Sequence, residues 1–336
     1  MSKVLCFGEL LLRFSPYLDG EWISQAQMPV FIGGAELNTA TALARWNMPV
    51  AYCTALPDHY LTKEIIEALG KKNIDTDRIQ LSGNRIGTYY LPQGADLKAA
   101  GVIYDRAYSS FWDLQLGMID WDQILKDVAW FHFSAICPAL NANVAAVCKE
   151  ALQAAAQRNI TISVDLNYRA KLWQYGKTPL EVMPELVQYC NVIMGNVWAA
   201  EKMLGVPVNK NLEDTKDAYL EQALQTSKGI INIFPACTQV ANTFRFDREE
   251  GLHYYATLYK DDGFYYSNKQ QANAIVDKVG SGDTFMAGLI YGIKKGWSPQ
   301  QVIDFSAAAA FNKLFIKGDA TTSSVEEIQK KMAIHG

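Results

Sequence analysis

Short apolar runs alternate with amphipathic ones along most of this chain, and that alternation leaves few folds open. Val4 to Gly8, Val50 to Ala55, Trp130 to Ser134, Ile160 to Leu166, Asn191 to Gly195 and Gly229 to Phe234 have the length and content of strands, most of them continuously apolar. Strands of that kind are buried on both faces of a parallel sheet. Between them, Glu36 to Trp46, Leu61 to Lys71, Asn143 to Gln157 and Trp198 to Leu204 carry the spacing of amphipathic helices. The series predicts a doubly wound α/β fold, a mostly parallel sheet flanked by helices. No repeat, linker or low-complexity segment interrupts the 336 residues, so one main domain over 1–336 is expected.

Two regions break the alternation. Leu10 to Ser15 with Trp22 to Phe31, and Arg85 to Pro92 with Gly101 to Arg106, read as strands joined by turns with no helix between them. They predict a small β-sheet formed by about 10–32 and 84–112, placed as a lid over a ligand cleft; an extension of the main sheet is the alternative. Later, Val240 to Phe246, Leu252 to Leu258 and Gly263 to Tyr266 read as an antiparallel meander.

Composition narrows the function classes. A net charge of −4 gives no general attraction to nucleic acid or to acidic membranes, so small-molecule partners are expected. The six cysteines show no Cys-x-x-Cys spacing and sit in apolar stretches, which points to buried thiols in a reducing compartment. Glu9 interrupts the apolar N-terminal run long before a signal-peptide core is complete, and no segment has membrane-spanning length. A cytoplasmic protein is the expectation. The histidines at 59, 132, 253 and 335 have no metal-ligand spacing, so no direct fixed metal site is expected. There is no Gly-x-x-x-x-Gly-Lys-Ser/Thr, and no Gly-x-Gly-x-x-Gly after the first strand.

The chemistry concentrates in Asp277, Lys278, Val279, Gly280, Ser281, Gly282 and Asp283, just ahead of the apolar run Phe285 to Tyr291. Two glycines at a helix start aim bare N–H groups at one point, a place for an anion. A carboxylate in that turn would repel the anion, so Asp283 reads as a base. A capped turn with no phosphate site explains the same residues. Gly33, Gly34 and Asn38 form a second glycine pair ahead of a helix, with an amide suited to sugar hydroxyls. At the end of the Ile160 to Leu166 strand, where ligands of open α/β sheets gather, stands Asp165, Leu166, Asn167, Tyr168, Arg169. Arg169 offers a planar fork for a carboxylate or phosphate; a structural salt bridge is its alternative role.

Together these motifs resemble the ribokinase-like (PfkB) carbohydrate kinases, over nearly the whole chain from Gly8 to Asp319. Asp-x-x-Gly-x-Gly-Asp resembles the family's catalytic turn, which implies Asp283 as the base, with N–H groups of Gly280, Ser281 and Gly282 as the anion hole. Gly-Gly-x-x-x-Asn matches the sugar site. Asp-x-Asn-x-Arg-x-x-Leu-Trp and Tyr104-Asp105-Arg106 look most like 2-keto-3-deoxygluconate kinases. The resemblance implies substrate contacts at Glu9, Gly33, Gly34, Asn38, Tyr89, Tyr104, Arg106, Arg169 and Asp319. A buried carboxylate needs a cation, and Arg106 and Arg169 supply two. It also implies ATP and Mg2+, with Asn196 and Asp277 on the nucleotide and metal side, and Asp277 beside a monovalent cation such as K+. A homodimer through the lid follows from the edges of a small sheet.

Two departures bear on the nucleotide. The family's Asn-x-x-Glu is here Asn196 with Ala199, and Glu201 points about 200° round a helix from where the acid should stand. Its Lys-x-Gly-x-x-Gly is missing after Gly229 to Phe234. The expected activity is transfer of the γ-phosphoryl of ATP to a terminal hydroxyl of 2-keto-3-deoxygluconate. Fructose or another sugar acceptor is one alternative, and a non-catalytic sugar-binding regulator is the other.

Overall fold

The computed structural model describes residues 2–17, 22, 27–93 and 101–335. Its larger sheet has ten strands. Nine run in the order Gly263–Tyr266, Gly251–Lys260, Gln239–Arg248, Val192–Gly195, Thr161–Asp165, Val128–Ser134, Lys3–Phe7, Val50–Cys53, Ile74–Asp75, and Gln270–Ala272 pairs separately with Gly251–Lys260. From Gln239–Arg248 to Ile74–Asp75 every pairing is parallel. The order reverses at Lys3–Phe7: the chain first adds Val50–Cys53 and Ile74–Asp75 on one side, then returns to add Val128–Ser134 and the strands after it on the other. Such a switch point opens a crevice beyond the strands' carboxyl ends.

Strand alternation builds the two apolar layers. Val4 and Cys6 pack with Leu37, Leu43, Phe285, Leu289 and Phe305 on one face, while Leu5 and Phe7 pack with Phe131, Val147, Leu152 and Met183 on the other. The helices Ala35–Arg45, Ser281–Lys294 and Pro299–Lys313 cover the first face, and Ala142–Gln157, Pro179–Val187 and Val197–Leu204 the second.

One expected strand is a helix. Gly229 to Phe234 forms the end of the helix Lys216–Ile233, whose buried stripe Tyr219, Ala223, Thr226 and Ile230 has helical spacing. A short apolar run cannot be told from a strand locally, and here the amphipathic residues upstream decide it. The next parallel strand is Gln239–Arg248, the first member of the expected meander. It pairs with Val192–Gly195 on one side and, over its full length, antiparallel with Gly251–Lys260 on the other.

Val30–Gly33, Leu11–Phe14, Gly87–Tyr90 and Ile103–Asp105 make a separate four-stranded sheet in that order. They come from the two stretches that break the alternation. Residues 18–21, 23–26 and 94–100, inside the boundaries drawn from sequence, lie outside the described residues.

The two helices behind the crevice touch closely. A Cβ on Gly288 would meet Ser306 Cα at 2.7 Å, a backbone contact that cannot swing aside. Gly288→Ala should therefore destabilise the protein by about 1–3 kcal/mol despite alanine's better helix propensity. Urea unfolding with an unchanged slope and a lower midpoint would show it.

Candidate active site

A cleft of about 640 Å³ runs along the carboxyl ends of the parallel strands. Glu9, Asp165 and Asn196 follow three of those strands, and the turn Gly280 to Asp283 faces them across it.

Gly280 is the residue on which this turn depends. It has φ +78°, and a Cβ there would sit 1.7 Å from the carbonyl oxygen of Asp319, so only glycine fits. It is also the N-cap of the helix Ser281–Lys294 and offers no capping side chain. The Ser281 hydroxyl is turned away, donating to the Ala310 carbonyl at 2.9 Å. The N–H groups at this helix start are thus left without a side-chain cap. Asp283 lies in the first turn, 8% exposed, and accepts from Asn38 Nδ2 at 2.7 Å. Burial pushes its carboxyl up to about 8 against the Asn38 hydrogen bond, and the negative charges of Asp165 and Glu36 push the same way. Arg169 opposes them. Asn38 Oδ1 is buried with no hydrogen-bond partner among the described residues, an acceptor held beside the base.

At one end of the cleft Arg106 and Glu9 form a buried ion pair at 2.5 Å, and Ser109 donates to the other Glu9 oxygen. Burial disfavours the Arg106 charge, but Glu9 outweighs it and raises the pKa. Both residues line the cleft, as do Gly34, Asn38, Tyr89 and Tyr104. Arg106 therefore reaches the cleft already neutralised. Arg169 is differently placed: it lines the cleft, donates to the Tyr168 carbonyl at 3.1 Å and makes no ion pair among the described residues.

Gly33, Asp277 and Asp319 stand off the cleft wall. Gly33 turns toward Asp319, with a Cβ position 2.3 Å from its Oδ2. Asp319 accepts from Arg13 Nε at 2.7 Å and from the Tyr89 hydroxyl at 3.0 Å. Asp277 accepts from Arg13 Nη2 at 3.0 Å and from the N–H groups of Val279 and Gly318. Arg13, Asp277 and Asp319 are all nearly inaccessible.

The family model for pfkB family carbohydrate kinases matches residues 1–232 and 250–324. The chain belongs to this family. A 2-dehydro-3-deoxygluconokinase structure from Thermotoga maritima superposes with a TM-score of 0.89 at 34% identity, covering 99% of this chain and 100% of that one. The 2-dehydro-3-deoxygalactonokinase of Haloferax volcanii is 27% identical over 98% of this chain and 96% of its own length. A putative ribokinase II from E. coli, in complex with ATP and Mg2+, shares the fold at 18% identity and a TM-score of 0.79, with full coverage of both chains. The protein is a carbohydrate kinase, a phosphotransferase with an alcohol group as acceptor.

For a kinase of this family the other end of the cleft is unusual. Asn196 caps the helix Val197–Leu204 through the Ala199 N–H at 2.8 Å, and Lys202 lines the cleft one turn later. Glu201 points elsewhere and accepts from the Val208 N–H. The family match stops at 232 and resumes at 250, a gap that holds the whole strand Gln239–Arg248. That strand, rather than the helical run Gly229 to Phe234, follows Val192–Gly195 in the sheet, and no Lys-x-Gly-x-x-Gly follows it either. In the true strand, Thr243 and Arg245 face the cleft with Tyr254 of its neighbour, and Lys278 pairs with Asp247 at 3.0 Å.

Sequence reasoning missed Arg13, Glu36, Arg245 and Lys313. Arg13 had a signal, being a charge in the apolar strand Leu-Leu-Arg-Phe. Glu36 had none; it is buried against Ser134 and Cys137, which donate to Oε1, and burial raises its pKa.

The elevated Asp283 carboxyl has two measurable consequences. kcat/KM should climb with pH toward a plateau above about 8, and Asp283→Asn should lose roughly 10² to 10⁴ in turnover. Because the folded pKa is raised, its stabilising contribution is complete below about 4 and is lost as pH rises through about 8. Asp283→Asn escapes that loss, so it should be more stable than the native protein at pH 9, with the difference vanishing near pH 4. Denaturant titrations at the two pH values measure it.

Proposed function

We propose that this kinase transfers the γ-phosphoryl of ATP to the terminal hydroxyl of a 2-keto-3-deoxyhexonate, with 2-keto-3-deoxygluconate as the leading acceptor. The observation that carries the acid assignment is Arg169, a cation on the cleft wall that makes no ion pair of its own and lies close enough to Asp283 to stabilise its charge. A sugar carboxylate entering the cleft would otherwise be desolvated without compensation. The Thermotoga and Haloferax relatives bear the names of kinases for the gluconate and galactonate forms, which supports the class and leaves the epimer open.

Asn38 and Tyr104 orient the acceptor, and Asp283 takes the hydroxyl proton as the oxygen attacks the γ-phosphorus. The anion hole of Gly280, Ser281 and Gly282 stabilises the transferring group, ADP leaves, and the proton remains on Asp283. Mg2+ would come with the nucleotide and neutralise phosphate charge; Asn196, Lys202 and Arg245 line that end of the cleft, the two cations suited to the phosphates themselves. The small sheet closes over the acceptor and excludes water. Its two edge strands each expose an apolar side chain, Val30 and Ile103, and pair with a second copy in a homodimer. No helix among the described residues is long and apolar enough to cross a membrane, and we place the kinase in the cytoplasm.

A panel of hexonates and neutral sugars with ATP and coupled ADP detection tests the reading. Arg169→Ala should cut kcat/KM for the keto-deoxy acids at least tenfold, with little change for any neutral sugar; equal losses for both would overturn the acid assignment. Arg106→Ala is a poor probe, because it strands Glu9 as a buried, unpaired charge and would cost about 3–5 kcal/mol in stability. For the donor, Arg245→Ala should raise the KM for ATP about tenfold and leave the acceptor KM unchanged, as two-substrate kinetics would show.

A further inference from the structure

The region directly behind the anion hole, between the Asp277 to Gly280 turn and residues 313–319, holds two buried cations and two buried carboxylates. Arg13 and Lys313 are 1% and 0% exposed, and Asp277 and Asp319 are 6% and 4%. This is where the family resemblance leads one to expect Asp277 beside a monovalent cation. The residues do not suit one. Asp277 Oδ1 is taken by the Val279 N–H, and Oδ2 by Arg13 and the Gly318 N–H. The Ile316 carbonyl accepts from Lys313 Nζ at 2.9 Å, and the Leu314 carbonyl accepts the N–H groups of Val276 and Asp277. Asp319 is shared by Arg13 and Tyr89. Oxygens that a K+ ion would collect are already bound to N–H, guanidinium, ammonium or phenol donors.

Charge bookkeeping gives the same answer. Two carboxylates buried together need about two positive charges nearby. Arg13 and Lys313 provide both. Burial pushes the Lys313 ammonium down while Asp277 and Asp319 hold it up, and those same two carboxylates raise Arg13 against its own burial. A further cation would be repelled. Geometry links this cluster to the chemistry, since Lys313 Cε and the Asp319 carbonyl are the atoms nearest the Cβ position of Gly280.

We propose that Arg13 and Lys313 are positioning residues that replace a monovalent cation behind the anion hole, so that phosphoryl transfer by this kinase is independent of K+ and Na+. The ammonium and the guanidinium hold the 313–319 segment against the catalytic turn, and the N–H groups of the hole keep their aim without an ion. Arg13 comes from the small sheet, as does Phe31, whose ring lies 4.4 Å from its guanidinium carbon. The built-in cation thereby also ties that sheet to the hole.

The inference rests on the kinase reading but not on the choice of sugar, because the assay uses whichever acceptor the panel shows to be turned over. Initial rates with saturating Mg-ATP are compared in KCl, NaCl and tetramethylammonium chloride at equal ionic strength. Rates within twofold of one another are expected; a tenfold or larger activation by K+ would overturn the proposal. Lys313→Met removes the ammonium and bares the Ile316 carbonyl. It should lose at least tenfold in kcat in tetramethylammonium chloride and recover part of that in KCl, which loss of fold would not do. Full activity of this variant without K+ would equally refute the role given to Lys313, and the native-protein comparison decides the matter if the variant does not fold.

Discussion

A buried carboxylate has to be kept at a helix start whose N–H groups lack a side-chain cap, and the rest of the site is arranged around that constraint. Burial disfavours the charge of Asp283 there and is the largest of the effects that raise its pKa to about 8. Asp165 and Glu36 add to the effect rather than relieving it. Asn38 and Arg169 act in the other direction. As the proposed base, Asp283 would be poised at about 8 by this balance of neighbours. That is the condition under which a general base is both deprotonated often enough and strong enough to accept a hydroxyl proton. Glu36 meets the same conflict: hydrogen bonds from Ser134 and Cys137 favour its charge, yet burial still raises its pKa.

The hole depends in turn on a second set of charges that never touch the cleft. Gly280 can hold φ +78° against the Asp319 carbonyl only if residues 313–319 stay where they are, and Asp277, Arg13 and Lys313 hold them. Removing one partner from a buried cluster of this kind leaves the opposite charge unpaired, so the cluster resists piecemeal change. A strand of the small sheet contributes Arg13, and another contributes Tyr89. The small sheet and the Gly280 turn are therefore mechanically linked.

Local chemistry made most of this legible in the sequence. Apolar strands alternating with amphipathic helices gave the layered fold, and the glycine pairs gave the two turns that flank the acceptor. Long-range pairing stayed hidden. Arg106 reads as a free cation until the fold brings Glu9 against it from nearly a hundred residues away, and Asp319 reads as a cleft residue until Arg13 claims it. The misread Gly229 to Phe234 run shows the same limit at the level of secondary structure. Six apolar residues carry no period of their own, and the helix they finish is declared only by Tyr219, Ala223 and Thr226 upstream.

The strand Gln239–Arg248, rather than the Gly229 to Phe234 run, builds the far end of the cleft. Each of the ten residues of Gln239–Arg248 is paired with one of Gly251–Lys260, so the strand runs on past the cleft as an unbroken ladder. That ladder holds the backbone extended, so it forms no glycine loop around phosphates, although Val192–Gly195 pairs with its other edge only from Gln239 to Asn242. One face of the strand, Phe244 and Phe246, is locked against Tyr219, Tyr255 and Trp198. The other face presents Thr243 and Arg245 to the cleft. In the proposed function Thr243 and Arg245 stand where a nucleotide would meet this strand, and a guanidinium fork matches the geometry of a phosphate.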